Sequence, residues 1–391
     1  MKNISILGIT GSIGESSLNI CNNFKDEINL IAVSAHKNVK LLLEIIDKYS
    51  PQYAVVSDTE EMRKHFGKYE VAYKGIKIYS GDDGLSKICS DKNNDIIVNA
   101  ICGKAGLTPS LTILESGIDI ALANKESVVC AGPILSEVSA KTMAKIIPVD
   151  SEHSAVFHLL KDKNKESIRN IYLTASGGPF LNLDKKEWNT ITINDALNHP
   201  TWKMGSKITI DSATMANKGL EVIECHYLFD FDYSKINVLI HPQSLIHSMV
   251  ETLDSEIYAQ LGPNDMSIPL QNAVFYPDIK KNVYNTFDFS KAVSLELLPV
   301  DMSKFKMLRL AFECGRKDGL YTAFYNFVNE LLVYHFLSNN ISFLQIEEFM
   351  EKALDLFDKK NDVDKYKINI DNIKETEIIS DLIINELLKD L

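Results

Sequence analysis

The sequence has 391 residues, a length that predicts two or three domains. Its 45% hydrophobic and 24% charged residues are ordinary for a globular protein, and it contains no apolar run of about 18 residues that would predict a membrane span. A formal charge of −12, from 41 basic and 53 acidic residues, gives no general attraction to nucleic acid or to anionic lipid. The six cysteines are dispersed without a C-x-x-C pair, which favours a reducing cytoplasm and leaves catalysis in solution as the expected class of function.

Short apolar strands alternate with helical segments over the first 150 residues. The predicted strands are Ser5–Ile9, Ile28–Ser34, Tyr53–Ser57, Ile96–Asn99, Ile118–Leu122 and Ile146–Val149. This alternation is typical of a parallel sheet that is covered by helices on both faces. We therefore predict an N-terminal α/β domain, a doubly wound parallel sheet, over residues 1–149.

The rest of the chain divides into three predicted regions. Residues 150–275 mix strand and helix in an α+β pattern and include a long irregular stretch, Gly177–Gly205. A polar linker over 276–305 precedes a C-terminal α-helical bundle over 306–391, in which the pattern is broken near Asp371. Because long irregular stretches often form active-site lids, we expect 177–205 to act as one.

The first predicted strand runs directly into a glycine-rich turn, Gly8-Ile9-Thr10-Gly11-Ser12-Ile13-Gly14, and a helix is predicted from Glu15. Glycines at this spacing allow pyrophosphate to approach a helix N-terminus, where backbone N–H groups point outward. The alternative is a tight turn without a ligand. At the start of a chain with five more such strands, the motif favours a Rossmann-like dinucleotide site.

The end of the second strand distinguishes NAD from NADP. In NAD sites an acidic residue there binds the ribose 2′-hydroxyl, whereas this strand continues into His36-Lys37-Asn38. The basic residues favour a 2′-phosphate and hence NADPH. The alternative is that Lys37 is only a solvated loop charge.

Acidic residues follow the strand that ends the N-terminal domain. Asp150 and Glu152 are two residues apart, so on extended backbone they would project to the same side. Two neighbouring carboxylates repel unless a cation or proton lies between them, and oxygen ligands suit a divalent metal ion. A solvated acidic turn is the competing interpretation.

Two further segments contain candidate phosphate ligands. If Ala213 begins a helix, Asn217, Lys218 and Glu221 share one face, which suits a phosphate beside a metal ion, although an exposed Lys–Glu pair has the same spacing. Ser176-Gly177-Gly178 can offer a hydroxyl and backbone N–H groups to a phosphate.

Taken together, these segments resemble the 1-deoxy-D-xylulose 5-phosphate reductoisomerase family, in order and over nearly the whole length. The matching segments are Gly8–Gly14, Ala123–Glu126, Val149–His153, Ala175–Phe180, His199–Gly205, Asp211–Glu221 and Asp265-Met266. The resemblance implies conversion of 1-deoxy-D-xylulose 5-phosphate to 2-C-methyl-D-erythritol 4-phosphate in the non-mevalonate isoprenoid pathway. It also implies NADPH, a divalent metal ion (Mg²⁺, Mn²⁺ or Co²⁺) and a cytoplasmic homodimer.

The resemblance also implies a role for each matching residue. The metal ligands would be Asp150, Glu152 and Glu221, and the catalytic residues Lys125, Glu152, His199 and Glu221. Substrate contacts would come from Lys125, Ser151, Glu152, Ser176, His199, Trp202, Ser212, Asn217, Lys218 and Glu221, with the phosphate held by Ser176, Ser212, Asn217 and Lys218. Cofactor contacts would come from Thr10, Gly11, Ser12, Ile13, His36, Lys37, Asn38, Asn124, Glu126, Met204, Gly205 and Met266. His199, Trp202 and Met204 would close over the substrate.

The chain departs from the family pattern at two places. Ser267 replaces the usual arginine after Asp265-Met266, with a displaced proline at position 263, and Phe327 and Val328 replace two alanines. Two other functions remain open from the residues alone. An ordinary NADPH-dependent dehydrogenase would explain residues 1–130 but not the three carboxylates, and a non-catalytic NADPH sensor would not need those carboxylates.

Overall fold

The computed structural model describes residues 1–199, 202, 204–284, 286–288, 290, 293–360 and 365–389. The strands are β1 Lys2–Leu7, β2 Ile28–Ala35, β3 Tyr53–Val56, β4 Val71–Tyr73, β5 Ile76–Ser80, β6 Ile96–Asn99, β7 Asp119–Leu122, β8 Ile146–Pro148, β9 Ile168–Ala175, β10 Ile236–Ile240, β11 Ile246–Thr252, β12 Ile257–Leu261 and β13 Leu298–Pro299. The helices are α1 Ser12–Asn23, α2 Val39–Tyr49, α3 Thr59–Phe66, α4 Gly81–Cys89, α5 Leu107–Glu115, α6 Lys125–Thr142, α7 Ser151–Leu160, α8 Ile193–Leu197, α9 Ser206–Thr214, α10 Ala216–Phe229, α11 Ser267–Phe275, α12 Lys306–Lys317, α13 Tyr321–Leu337, α14 Phe343–Lys359 and α15 Ile370–Lys389.

The chain divides into two compact units. The first comprises Met1–Ser127, Leu135–Ser154 and Asp265–Thr286, and the second comprises Val128–Ile134, Ala155–Asn264 and Phe287–Leu391.

An eight-stranded sheet forms the centre of the first unit, in the order β4-β5-β3-β2-β1-β6-β7-β8. All neighbouring strands are parallel except the hairpin pair β4 and β5. Ile6, Val33 and Ile97 are almost fully buried, as expected of parallel strands covered on both faces. The strand order reverses between β1 and β6, and ligands of such sheets bind at the carboxyl ends of the strands beside this reversal.

The second unit contains a five-stranded mixed sheet, in the order β12-β11-β9-β10-β13. Strands β9 and β10 are parallel, while β11 runs antiparallel to both β9 and β12. Helices α12–α15 form the C-terminal bundle, in which the rings of Phe324 and Phe357 stack with centroids 4.0 Å apart.

The predicted fold class is confirmed: a Rossmann-like parallel sheet, a mixed α+β region and a helical C-terminal region. All six predicted N-terminal strands form, with ends displaced by a few residues. The hairpin β4–β5 is absent from the prediction because its strands are short and half-exposed, so they lack an apolar run. The break predicted near Asp371 falls just before it, since α15 begins at Ile370.

Candidate active site

The glycine-rich turn after β1 packs tightly against the loop that follows β6. Gly8 has φ +75°, and a Cβ there would lie 2.6 Å from the carbonyl oxygen of Ala100. Helix α1 begins at Ser12, three residues earlier than predicted, with Gly11 as its N-cap. A glycine N-cap leaves the first N–H groups of the helix to an incoming anion, so Thr10, Gly11, Ser12 and Ile13 lie where pyrophosphate would bind.

The predicted 2′-phosphate residues follow β2 at the same edge of the sheet. The Asn38 side chain caps α2 by accepting a hydrogen bond from the Leu41 N–H at 3.1 Å. His36 and Lys37 are exposed, and both face the carboxylate of Asp58, which follows the neighbouring strand β3. Sequence analysis missed Asp58, although its position just beyond a strand could have indicated it.

Asn124 connects the ends of two adjacent strands. Its buried side chain donates to the carbonyl oxygens of Ile101 at 2.6 Å and Gly103 at 2.7 Å, beyond β6. It also caps α6, which follows β7, by accepting from the Ser127 N–H at 2.9 Å. Asn124 therefore fixes the loop after β6 relative to the N-terminus of α6. Glu126, which is also buried, lies in the first turn of α6.

The acidic segment after β8 is helical rather than extended. Helix α7 begins at Ser151, and the Ser154 N–H donates to the Asp150 carbonyl at 2.8 Å, so Glu152 lies in the first helical turn. The prediction that Asp150 and Glu152 project from extended backbone is wrong for this reason.

The side chains of this segment are nevertheless paired. Lys125, whose side chain is 8% exposed, forms an ion pair with Asp150. Ser151 donates its hydroxyl to a Glu152 carboxylate oxygen at 2.6 Å. Behind them, fully buried His153 places Nδ1 4.0 Å from an Asp150 oxygen, a neighbour that sequence analysis did not consider.

The second predicted cluster lies on α10. The condition of a helix that runs on from Ala213 is not met, because Met215 adopts the left-handed conformation, with φ 63°, and separates α9 from α10. Asn217, Lys218 and Glu221 still share a face because all three follow the break. Asn217 donates its amide to one Glu221 oxygen at 2.5 Å, and Lys218 forms an ion pair with the other oxygen.

Both charged members of this cluster are buried, since Lys218 is 3% exposed and Glu221 is 1% exposed. This burial excludes the alternative of an exposed Lys–Glu pair. Burying a carboxylate is costly unless it is paired and hydrogen-bonded, and Glu221 is both.

Ser176, His199 and Ser212 converge although they are far apart in the sequence. The Nε2 atom of His199 lies 3.2 Å from the Ser176 hydroxyl and 3.1 Å from the Ser212 hydroxyl. Its Nδ1 accepts the backbone N–H of Trp202 at 2.9 Å, so the ring proton resides on Nε2. Partial burial lowers the pKa of His199, which keeps the ring neutral near pH 7.

The predicted lid, 177–205, contains a well-packed first half. Its 3₁₀ helix Lys185–Thr190 carries Trp188, which is 2% exposed and packs against Phe343 of α14 with ring centroids 5.4 Å apart. Lys185 lies over the Trp188 ring and forms an ion pair with buried Glu347. In the second half, Trp202 and Met204 are half-buried and Gly205 caps α9, while Pro200, Thr201 and Lys203 lie outside the described residues.

The departures from the family pattern are accommodated locally. Ser267 is buried as the first residue of α11, and its N–H donates to Asp265 at 2.9 Å, directly beside Met266. Phe327 and Val328 are both buried in α13, so the larger side chains are part of the helical core.

Sequence analysis missed a buried polar contact behind Ser212. Asp211, which is 1% exposed, forms an ion pair with Lys207 at 2.8 Å and accepts a hydrogen bond from the Asn329 amide at 2.8 Å. Asn329 belongs to α13, more than 100 residues further along the chain, so no local pattern could have indicated this contact.

Family models cover most of the chain. Residues 4–132 match the model described as 1-deoxy-D-xylulose 5-phosphate reductoisomerase, and residues 146–229 match the model of that enzyme's C-terminal domain. Residues 261–378 match a third model, the DXP reductoisomerase C-terminal domain. A 1-deoxy-D-xylulose 5-phosphate reductoisomerase of Clostridium acetobutylicum is 45% identical over 363 residues, 93% of this chain and 94% of that protein. The chain belongs to the 1-deoxy-D-xylulose 5-phosphate reductoisomerase family.

Other members of the reductoisomerase family agree in sequence and in structure. The Chloroherpeton thalassium protein of the same name is 45% identical over 92% of both chains. The Zymomonas mobilis reductoisomerase, solved with NADPH, superposes with a TM-score of 0.89 at 34% identity over the full length of both chains. A reductoisomerase solved with NADPH, fosmidomycin and magnesium has the same TM-score and identity over 99% of each chain.

Among the described residues, no helix combines the length and apolar character that crossing a membrane requires.

Proposed function

We propose that this protein converts 1-deoxy-D-xylulose 5-phosphate to 2-C-methyl-D-erythritol 4-phosphate, using NADPH and a divalent metal ion. The observation that carries this proposal is Glu221, a carboxylate only 1% exposed that shares one helix face with Asn217 and Lys218. An ordinary NADPH-dependent dehydrogenase has no need of a buried carboxylate beside phosphate-binding side chains.

Asp150, Glu152 and Glu221 would hold the metal ion. Their oxygens fit a hard divalent cation, and Asp150 and Glu221 are each held in place by a lysine, Lys125 and Lys218. When bound, the metal ion polarises the substrate carbonyl as a Lewis acid and NADPH supplies the hydride.

The substrate phosphate is bound by Ser176, Ser212, Asn217 and Lys218. His199 donates from Nε2 into the same group of hydroxyls, so a phosphate oxygen there meets hydrogen-bond donors from three parts of the chain. An ammonium group has three donors, so Lys218 can bind phosphate while it remains paired with Glu221. This anchor supplies binding energy remote from the reacting carbons, which is available to hold the two fragments after the carbon–carbon bond is cleaved.

Lys125 and Ser151 orient the reacting end of the substrate. Lys125 is held by Asp150 and keeps further ammonium donors for a substrate oxygen, while Ser151, which donates its proton to Glu152, offers oxygen lone pairs that can accept from a substrate hydroxyl. Catalysis needs such positioning because cleavage and re-formation of the carbon–carbon bond require the two fragments to remain aligned. Trp202 then covers the site and excludes water, which would otherwise compete for the intermediate.

Thr10, Gly11, Ser12 and Ile13 bind the pyrophosphate of NADPH at the N-terminus of α1. Its 2′-phosphate is bound by His36, Lys37 and Asn38, and the remaining contacts come from Asn124, Glu126, Met204, Gly205 and Met266. We assign residues 1–149 to the cofactor, 150–275 to catalysis, 276–305 to a linker and 306–391 to the bundle. Within the predicted lid, 177–205, the residues that close over the substrate are His199, Trp202 and Met204, since the first half of the segment is packed against α14 through Trp188.

Supplying two substrates to the purified protein tests the whole proposal. With NADPH and Mg²⁺ or Mn²⁺, the protein should consume NADPH with 1-deoxy-D-xylulose 5-phosphate and with the branched aldehyde 2-C-methyl-D-erythrose 4-phosphate, giving the same product. Reduction of the aldehyde alone would identify a plain dehydrogenase, and binding of NADPH without any turnover would identify a sensor.

Metal dependence is tested separately. A chelator should abolish turnover, and Glu221→Gln should reduce it at least about 100-fold because a ligand and its charge are lost. Glu313→Gln is a matched control, since Glu313 is a surface residue of α12 that pairs with Arg309. Full activity in the presence of chelator would overturn the metal assignment.

We also propose that the protein is a cytoplasmic homodimer. Strand β12 lies at the edge of the five-stranded sheet and exposes apolar side chains, with Ile257 at 57% and Leu261 at 37%. Such an edge can pair with a second copy of itself. In sedimentation analysis Ile257→Lys should shift the protein towards monomer, whereas Ile279→Lys, a change at a 90% exposed residue in another part of the chain, should not.

A further inference from the structure

Asp58 is a carboxylate at the edge of the sheet where the 2′-phosphate of the cofactor would bind. Its Oδ1 atom caps α3, accepting from the N–H groups of Glu60 and Glu61 at 2.9 Å each. Its Oδ2 atom is directed the other way, 3.7 Å from Lys37 Nζ and 3.9 Å from His36 Nε2. Helix capping therefore fixes the orientation in which the carboxylate faces the two basic side chains.

The neighbouring backbone and ring contacts hold this arrangement together. The Ser57 N–H donates to the Ala35 carbonyl at 2.9 Å and the Asp58 N–H to the His36 carbonyl at 3.3 Å, so the two strand ends stay in register. The His36 ring is held by the Ser57 hydroxyl, 3.0 Å from Nδ1. His36 and Lys37 are nevertheless 69% and 66% exposed, which leaves them accessible to a nucleotide.

We propose that Asp58 is a specificity-determining residue that limits the preference of this site for a 2′-phosphorylated cofactor. The proposal rests on the assignment of His36 and Lys37 to the 2′-phosphate. A phosphate monoester carries a charge of about −1.5 to −2 at pH 7, so it is repelled by Asp58 while it is attracted by Lys37. The carboxylate balances the charge of Lys37, and the 2′-phosphate must compete with it for the same ammonium group.

The matched substitution is Asp58→Asn. Asparagine caps helices about as well as aspartate, so the change removes the charge and keeps the acceptor that α3 needs. Binding of a 2′-phosphorylated nucleotide should become tighter by about three- to tenfold at low ionic strength, and the gain should shrink with added salt. A nucleotide without the 2′-phosphate should bind with little change, because it carries no charge at this position.

The test measures binding by titration calorimetry and does not require turnover. Adenosine 2′,5′-bisphosphate and 5′-AMP serve as probes, each with the wild-type protein, Asp58→Asn and Lys37→Ala. Asp47→Asn is the control, since Asp47 is another carboxylate of the same unit that forms an ion pair, with Lys74 at 2.7 Å, in the last turn of α2. Asp58→Ser, which also retains a capping oxygen, replaces the asparagine variant if the latter unfolds early.

Tighter binding of the bisphosphate by Asp58→Asn, with no gain for 5′-AMP and none from Asp47→Asn, supports the proposal. Unchanged or weaker binding of the bisphosphate by Asp58→Asn overturns it, and weaker binding would mean that Asp58 positions Lys37 for the phosphate instead. Failure of the 2′-phosphate assignment itself is distinguishable, since the wild-type protein and Lys37→Ala would then bind the bisphosphate equally well.

Discussion

Asn329→Ala should lower both the free energy of unfolding and the affinity of the proposed phosphate site for substrate. Asn329 is fully buried in α13 and donates to Asp211, itself buried in α9 directly before Ser212, which we propose as a phosphate ligand. A hydrogen bond to a charged group contributes about 1.5–3 kcal/mol, and a buried carboxylate that loses such a donor keeps its desolvation cost. Lys207 still pairs with Asp211 at 2.8 Å, so we expect the free energy of unfolding to fall by about 2–3 kcal/mol.

The functional consequence follows from the position of Ser212 in the last turn of α9. With Asp211 less firmly held, the KM for 1-deoxy-D-xylulose 5-phosphate should rise severalfold, and kcat should fall less because Asn329 touches no reacting atom. Urea unfolding measures the fall in the free energy of unfolding, and an unchanged m-value would be evidence that the native fold is retained. Steady-state kinetics with varied substrate concentration measures the changes in KM and kcat.

Asn326→Ala is the matched control. Asn326 lies one helical turn earlier in α13 and is equally buried, and among the contacts described it donates only to the Cys130 sulfur, a weak acceptor, at 3.4 Å. Its loss should reduce stability without raising KM. Asn329→Asp should be worse than Asn329→Ala at pH 8, because it would place two buried carboxylates together. An unfolding free energy of Asn329→Ala within about 0.5 kcal/mol of wild type, with unchanged KM, would refute the reasoning.

Further measurements test other parts of the molecule. Lys37→Ala should raise the KM for NADPH with much less effect on NADH, and an equal loss for both would exclude the 2′-phosphate role. Burial lowers the pKa of His199 in the folded protein. The contribution of His199 to the free energy of unfolding should therefore be complete above about pH 6.5 and be lost as the pH falls through the folded pKa. Urea titrations at several pH values should show a smaller loss of unfolding free energy for His199→Gln. Trp188→Ala should cost about 3–5 kcal/mol by thermal or urea unfolding, since Trp188 fills a buried aromatic cluster. In native protein a thiol reagent should label only Cys102, because the other five cysteines are buried. Burial also raises the pKa of Cys21 to about 12, which keeps its thiol protonated and unreactive. Rapid labelling of more than one thiol would contradict this expectation.

Features that depend on neighbouring residues could be predicted from the sequence. Local spacing predicts the apolar strands, the glycine turn at Gly8 and the shared face of Asn217, Lys218 and Glu221. These predictions remain correct even where the predicted ends of helices and strands are wrong by a few residues. The family motifs could likewise be recognised because each is a short contiguous segment.

Two local details were wrong because backbone conformation changes within a motif. Extended backbone was assumed at Glu152, whereas α7 begins one residue earlier, and a continuous helix was assumed at Met215, whose left-handed conformation divides it. In both cases the residue types fit either conformation, so the spacing alone could not distinguish the two.

Contacts between distant segments were decided only by the tertiary structure. Asp58 faces Lys37 because β3 lies beside β2 in the sheet, and Asn329 reaches Asp211 because α13 packs on α9. The hydroxyls of Ser176 and Ser212 meet at His199 for the same reason. Local sequence sets which elements form, but strand order and helix packing set which charges and polar groups become neighbours, and those neighbours determine how each functional side chain is held.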